Sequence, residues 1–174
     1  DVPDSLDVIS MMYPAELAAF ELVDMQTVHA KGTKVVYTIS FDKIQKEYTE
    51  KVKEGTETGS FDTYLKLEMD KQIGYAGSFD GMITEYKGNN PIYMSAEQKA
   101  EAKKYQDIFF SAVSTWKTAN ADKLLTFQGY PENLIEQTVL TNCKHIILAT
   151  DNVTDDAQLS VFARLAMAAA GVPT

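Results

Sequence analysis

Short apolar runs of strand length alternate with amphipathic helical stretches along almost the whole chain. Strands are predicted at residues 8–12, 33–40, 79–87, 122–127 and 145–150. Helices are predicted at residues 15–25, where Pro14 would open the helix, 41–54, 60–73, 132–138 and 155–169, and a long one begins after the capping box of Ser95 and Gln98. This alternation is typical of an α/β fold with a parallel sheet and helical crossovers.

The length of the chain leaves two folds open. A closed (β/α)8 TIM barrel usually needs roughly 250 residues, whereas this chain has 174. It would then hold only part of a barrel, with residues 172–174 entering a further strand. The alternative is an open, doubly wound parallel sheet of five strands. In both cases we expect residues 1–174 to form a single α/β domain, which as part of a barrel would belong to a larger whole.

Charge and composition exclude several kinds of partner and cofactor. Acidic residues outnumber basic ones 25 to 16, giving a net charge of −9. Nucleic acid is not an expected partner, since phosphate binding needs clustered Lys and Arg. No apolar run reaches the length of a membrane-spanning segment. Cys143 is predicted to be a small buried thiol, and His29 and His145 have no metal-ligand spacing with it, so no metal or other cofactor is expected.

Polar and aromatic residues follow each predicted strand. In either fold the ligand site lies at the carboxyl ends of the strands. Each residue also has a simpler explanation: Asp42 and Asp151 suit helix N-termini, and Tyr13 and Tyr130 suit half-buried aromatic positions. The candidates at this rim are Tyr13, Asp42, Glu85, Lys87, Gln128, Tyr130, Asp151 and Asn152. Together they predict a pocket at this end of the sheet.

The central predicted strand places two opposite charges on one face. Side chains alternate along a strand, so Ile83, Glu85 and Lys87 share a face. Glu85 and Lys87 would lie about 6.6 Å apart along the strand. We therefore expect them to form an ion pair near the mouth of the sheet, while Trp116, on the apolar stripe of the long helix, is expected in the core.

The residues from Phe79 to Lys87 resemble the fourth-strand signature of family 18 glycoside hydrolases, Asp-Gly-x-Asp-x-Asp-x-Glu. Asp80 and Gly81 match it, but Ile83, Glu85 and Lys87 stand where the family has Asp, Asp and the proton-donating Glu. Residues 3–10, 31–36 and 124–131 are similar to the second, third and fifth strands of endoglycosidase-like relatives. The resemblance implies strands two to six of a TIM barrel, with the first strand and the last two outside this sequence.

The resemblance also implies a function with the acid removed. Family 18 enzymes work by substrate assistance, with the Glu at the end of strand four protonating the glycosidic oxygen. A lysine there places a fixed positive charge against a developing cation. The implied function is that of a catalytically impaired glycoside hydrolase homologue that binds N-acetylglucosamine-containing or related glycans. Its implied glycan-binding residues are Tyr13, Glu85, Lys87, Gln128, Tyr130 and Asp151.

Two other functions stay open. The chain would be an active endo-β-N-acetylglucosaminidase or chitinase-like hydrolase if Glu85 were the acid, which requires an alignment shifted by two residues. Alternatively, the barrel would serve only as a structural or interaction module. Since the relatives belong to glycan-foraging Gram-negative bacteria, the resemblance also implies export to the periplasm or cell surface. A lipid anchor on a segment not present in this sequence and cell-surface glycan-uptake proteins as partners are the matching expectations.

Overall fold

Five parallel strands form one sheet. The computed structural model describes residues 6–151, 153–169 and 171, so the strand predicted at 172–174 lies outside the described residues. The strands are β1 (Val8–Met11), β2 (Lys34–Ser40), β3 (Gly81–Tyr86), β4 (Leu124–Gly129) and β5 (His145–Leu148). All five predicted strands are thus present, but their bounds differ from the prediction. The third is shorter at both ends and leaves out Lys87, the fourth begins two residues later and extends to Gly129, and the fifth ends two residues earlier.

The strands lie side by side in the order in which they occur in the chain. Right-handed crossovers between consecutive strands place all the connecting helices on the same face of such a sheet. The result is a curled half-barrel with flanking helices, which confirms the prediction of a partial TIM barrel. The doubly wound alternative is wrong, because in that fold the strand order reverses at a switch point and helices cover both faces.

Five α-helices connect or follow the described strands. They are α1 (Ala19–Ala30), α2 (Phe41–Lys53), α3 (Phe61–Ile73), α4 (Ala96–Ala119) and α5 (Asp156–Ala169). The predicted capping box opens α4: the Ser95 hydroxyl accepts a hydrogen bond from the Gln98 amide at 3.2 Å, and the Gln98 side chain accepts one from the Ser95 amide at 2.9 Å. Local sequence therefore determines where this long helix begins.

The main core lies between the convex face of the sheet and the helices. The strand residues on this face are each at most 3 % exposed: Val35, Tyr37, Ile39, Met82, Thr84, Tyr86, Leu125 and Phe127. They pack against α3 and α4 residues such as Leu65, Phe109 and Trp116, and burial of Trp116 confirms its predicted place in the core. Each fully buried large apolar side chain stabilises the fold by about 1.5–3 kcal/mol.

The first helix begins later than predicted. Instead of running from 15 to 25 with Pro14 at its first position, it starts at Ala19, and residues 14–16 form a turn. The amide of Glu16 donates to the Tyr13 carbonyl at 3.2 Å. Ala18 is extended, and its amide donates to the Glu21 side chain at 2.7 Å, which caps the helix from within its first turn.

The helix predicted at 132–138 is also wrong. The chain forms two 3-10 turns there, Pro131–Asn133 and Gln137–Asn142. The cause is a tertiary contact with the buried Gln106 of α4. Its amide nitrogen donates to the Asn133 carbonyl at 3.2 Å, and its oxygen accepts from the Ile135 amide at 2.9 Å. Backbone groups that a helix would use are therefore bound to a side chain instead.

A close approach between β3 and β4 requires glycine at position 81. A Cβ atom on Gly81 would lie 2.1 Å from the Leu124 carbonyl oxygen, which is backbone and cannot move aside alone. The neighbouring Asp80 accepts a hydrogen bond from the Val35 amide at 2.9 Å and pairs with His29 at 3.0 Å. Asp80 and Gly81 therefore connect β2, β3 and β4 at the amino ends of the strands.

We expect Gly81→Ala to lower the free energy of unfolding by roughly 1–3 kcal/mol or more, since the added methyl group forces β3 and β4 apart. Gly77→Ala is the matched control, because a Cβ there meets no atom within 4 Å and Gly77 has no positive φ. That change should be neutral or stabilise by about 0.4–1 kcal/mol. Urea unfolding followed by circular dichroism measures both, and equal losses would contradict the steric account.

Candidate functional site

Three polar side chains form one row across the concave face at the carboxyl ends of the strands. Ser40 of β2 lies in register with Glu85 of β3, and Glu85 lies in register with Gln128 of β4. The Gln128 amide donates to the Glu85 carboxylate at 3.3 Å. Glu85 and Gln128 are half-buried. Glu85 and Gln128, both predicted at the strand ends, are thus in direct contact.

Lys87 reaches across the end of β4 to the loop after β5. Its ammonium group forms a hydrogen-bonded ion pair with Asp151. The hydrogen bond with Asp151 raises the pKa of Lys87, and the nearby Glu85 adds to the increase. The predicted ion pair between Glu85 and Lys87 is wrong. Glu85 accepts a hydrogen bond from Gln128, and Lys87 pairs with Asp151, which follows β5, two strands away from β3.

Asp42 holds the end of β3 in place. It lies in the first turn of α2, as predicted for a helix N-terminal acid. Its carboxylate also accepts hydrogen bonds from the Lys87 amide at 2.8 Å and the Gly88 amide at 3.3 Å. On the other side, the Asn133 side chain donates to the Lys87 carbonyl at 2.7 Å. The backbone that carries Lys87 is therefore fixed from two directions.

Sequence reasoning missed the buried polar residues behind this rim. Gln106 is 4 % exposed, and its amide donates to the Tyr86 hydroxyl at 2.8 Å. Burial raises the pKa of Tyr86, so the phenol stays protonated. Asn133, 8 % exposed, completes the cluster. A signal existed for Gln106, because it interrupts the apolar stripe of α4 between Tyr105 and Phe109. None marked Asn133.

The two rim tyrosines lie in different surroundings. Tyr130 is half-buried beside the α5 residue Phe162, with ring centroids 6.1 Å apart. Tyr13 is 67 % exposed and lines a small depression of about 210 Å³ together with Thr38 and Ser40. Tyr130 lies near Lys87, whose pKa it affects, and Tyr13 lies near the end of β2. Asn152 lies outside the described residues.

The charges at the mouth are already engaged with protein groups. Asp42 binds two backbone amides, Asp151 binds Lys87, and Glu85 accepts from a neutral amide. Among the described strand residues, Glu85 is the single carboxylate on the concave face. This arrangement offers hydrogen-bond donors and acceptors to a polar ligand. Within the described part of the chain, no three His, Cys, Asp or Glu side chains converge as a metal site.

No helix among the described residues is both long enough and apolar enough to cross a membrane.

Comparison with known proteins agrees with this architecture. Residues 1–173 match the model of the family described as glycoside hydrolase family 18, BT1044-like. The glycoside hydrolase domain of PelA from Pseudomonas aeruginosa is similar in fold, with a TM-score of 0.52 and 11% sequence identity; its E218A variant gives 0.54 and 12%. Each alignment covers 98% of this chain and 75% of the PelA domain. None of the curated proteins matches the chain.

We expect Asp42→Ala to lower the free energy of unfolding by about 1–3 kcal/mol, because it leaves the amides of Lys87 and Gly88 without their acceptor. Asp62→Ala is the matched control: Asp62 occupies the same position, second residue of α3, but binds no strand end. Thermal or urea unfolding of both variants separates the contribution of the two hydrogen bonds to Asp42 from an effect of the helix dipole. If both changes lower the free energy of unfolding by the same amount, the hydrogen bonds from Lys87 and Gly88 to Asp42 add nothing to stability.

Proposed function

This chain belongs to glycoside hydrolase family 18, in its BT1044-like group, and we propose that it is a catalytically impaired member that binds N-acetylglucosamine-containing or related glycans at the carboxyl ends of its strands. The observation that carries the proposal is that position 87 is a lysine and that this lysine is ion-paired. In an alignment without gaps, Lys87 stands where the family has its proton-donating Glu, and its ammonium group forms an ion pair with Asp151.

A lysine in this place opposes the family chemistry for two reasons. Its ammonium group carries a fixed charge, and the bond to Asp151 raises its pKa further, so it releases no proton at neutral pH. A positive charge also destabilises the oxocarbenium-like transition state of glycoside cleavage. Both effects reduce the rate of hydrolysis.

Glu85 is the residue that could act instead. It is half-buried at the mouth and receives a hydrogen bond from Gln128. Substrate assistance also needs a second carboxylate, two residues earlier, to orient the acetamido group. That place is taken by Ile83, which is 8 % exposed and lies between Thr38 and Thr126. Active hydrolysis through Glu85 is therefore the second candidate function, favoured only by the position of this carboxyl group.

The mouth retains groups suited to holding a sugar. Glu85 and Gln128 offer an acceptor and a donor on one row, Lys87 has three donor hydrogens, and the ring of Tyr130 lies alongside. Sugar recognition requires directional polar contacts at a concave site. The curled sheet supplies the concavity. These features support glycan binding without turnover.

We expect no hydrolysis of chitobiosyl substrates attributable to this site. The test compares the wild type with Glu85→Gln on a fluorogenic N,N′-diacetylchitobioside, because Gln keeps the size of Glu but cannot donate a carboxylic proton. Release at background level in both proteins is the expected result. Turnover in the wild type that disappears in Glu85→Gln would establish Glu85 as the acid and replace this proposal with the hydrolase.

We expect weak glycan binding that depends on Lys87 and Tyr130. A glycan array identifies the ligand, and calorimetry then compares the wild type with Lys87→Ala and Tyr130→Ala, each of which should lose affinity about tenfold. Lys103→Ala is the matched control, since Lys103 is similarly exposed and ion-paired but lies on α4. Absence of binding, or binding that survives both rim changes, would favour a structural or interaction module.

A location and a set of partners complete the proposal. We propose export to the periplasm or cell surface, possession of a lipid anchor outside this sequence, and association with cell-surface glycan-uptake proteins. The family assignment supports only the link to glycans; location and partners are what the resemblance to endoglycosidase-like relatives implies. Fractionation of the native host with an antibody to this domain tests it, and recovery in the cytosolic fraction would overturn it.

A further inference from the structure

A second concave site lies outside the mouth, between the first turns of α2 and α4. It is a groove of about 480 Å³, within the size range of small-molecule sites. The loop that follows β3, residues 88–94, forms one wall. Neither Glu85 and Gln128 of the concave face nor Asp151 of the loop after β5 lines it. The groove is therefore separate from the strand-end rim.

The floor of the groove is aromatic and rigid. Phe41 and Tyr86 are buried, with ring centroids 5.0 Å apart. Gly88 has a φ of +51°, and a Cβ there would lie 2.6 Å from the Tyr86 ring. Only glycine lets the loop turn directly against this ring. The loop conformation that opens the groove is thus built into the sequence.

An exposed aromatic ring stands at the edge of the groove on a fixed turn. Tyr93 is 86 % exposed, although it belongs to a 3-10 turn capped by Asn90, whose side chain accepts from the Ile92 amide at 2.9 Å. Pro91 opens the turn and limits its backbone freedom. A tyrosine held in this way offers a ring face at little cost in conformational entropy.

The walls carry free amide groups. Gln45 and Asn89 make no side-chain hydrogen bond to any residue that the structure describes. The side-chain nitrogen Nε2 of Gln98 is likewise without a described partner, since only the side-chain oxygen is used, by the Ser95 amide. Glu101 is the one charged side chain among the described lining residues, and it accepts a hydrogen bond from the Tyr105 hydroxyl at 3.1 Å. The groove therefore combines donors with a single engaged carboxylate.

This lining identifies the class of ligand. Anions find no lysine or arginine in the described lining, and a lipid chain would leave the amides unpaired. A neutral sugar ring presents an apolar face to a tyrosine and hydroxyls to amides and a carboxylate. We propose that this groove is a second binding site for neutral saccharides, in which Tyr93 is the stacking platform and Asn89, Gln45 and Gln98 are the hydrogen-bonding groups.

Titration of 15N-labelled protein with N,N′-diacetylchitobiose, mannobiose and cellobiose tests the groove residue by residue. We expect at least one of the three to shift the backbone amides of residues 88–94 and 98–102. Tyr93→Ala should weaken that binding about tenfold. Ile92→Ala is the matched control, because Ile92 is 81 % exposed on the same turn but does not line the groove.

Lys87→Ala distinguishes this site from the proposed mouth site. Groove shifts that persist in Lys87→Ala and disappear in Tyr93→Ala support an independent site, whether or not the mouth binds a glycan. The proposal is overturned if none of the three sugars shifts the groove amides, or if Tyr93→Ala and Ile92→Ala behave alike. It is also overturned if the groove shifts vanish with Lys87→Ala, since the groove would then only follow the mouth.

Discussion

The close contact of β3 with β4 is the constraint on which the rest of the site depends. At one end, Gly81 faces the Leu124 carbonyl, and at the other, a Cβ on Gly129 would lie 1.8 Å from the Tyr86 carbonyl. Glycine at both ends fixes how the two backbones meet, and so fixes their register. That register places Glu85 beside Gln128 on the concave face. A shift of β4 by one residue would turn Gln128 toward the helices.

The family signature divides into a structural half and a chemical half. Asp80 and Gly81, which are retained, join three strands at the amino end of the sheet. Of the positions that depart, 83 and 85 face the concave side where a substrate would lie, and Lys87 directly follows the end of β3. The differences at these positions therefore have no direct consequence for the contacts that build the sheet. A protein can keep this fold while its function at the mouth changes.

Electrostatics at the mouth depends on residues distant in sequence. Lys87 is held by the backbone contacts of Asp42 and Asn133 and by an ion pair with Asp151. Partly exposed ion pairs of this kind contribute little to stability. Their effect is to place a charge, and here a cation lies at the end of the central strand. The same loop then continues into Tyr93, so one segment supplies both the mouth and the outer groove.

The sequence by itself determined the alternation of strands and helices, the capping box of α4 and the shared face of Ile83 and Glu85, because these follow from local periodicity and propensity. Tertiary structure decided the rest. The sequential strand order excluded the doubly wound sheet. Gln106 binds the backbone of residues 133 and 135, where a helix is predicted and two 3-10 turns form instead. Lys87 forms its ion pair with Asp151 and not with Glu85. Such partners lie far apart in sequence, and only the packing of helices and loops around the sheet brings them together.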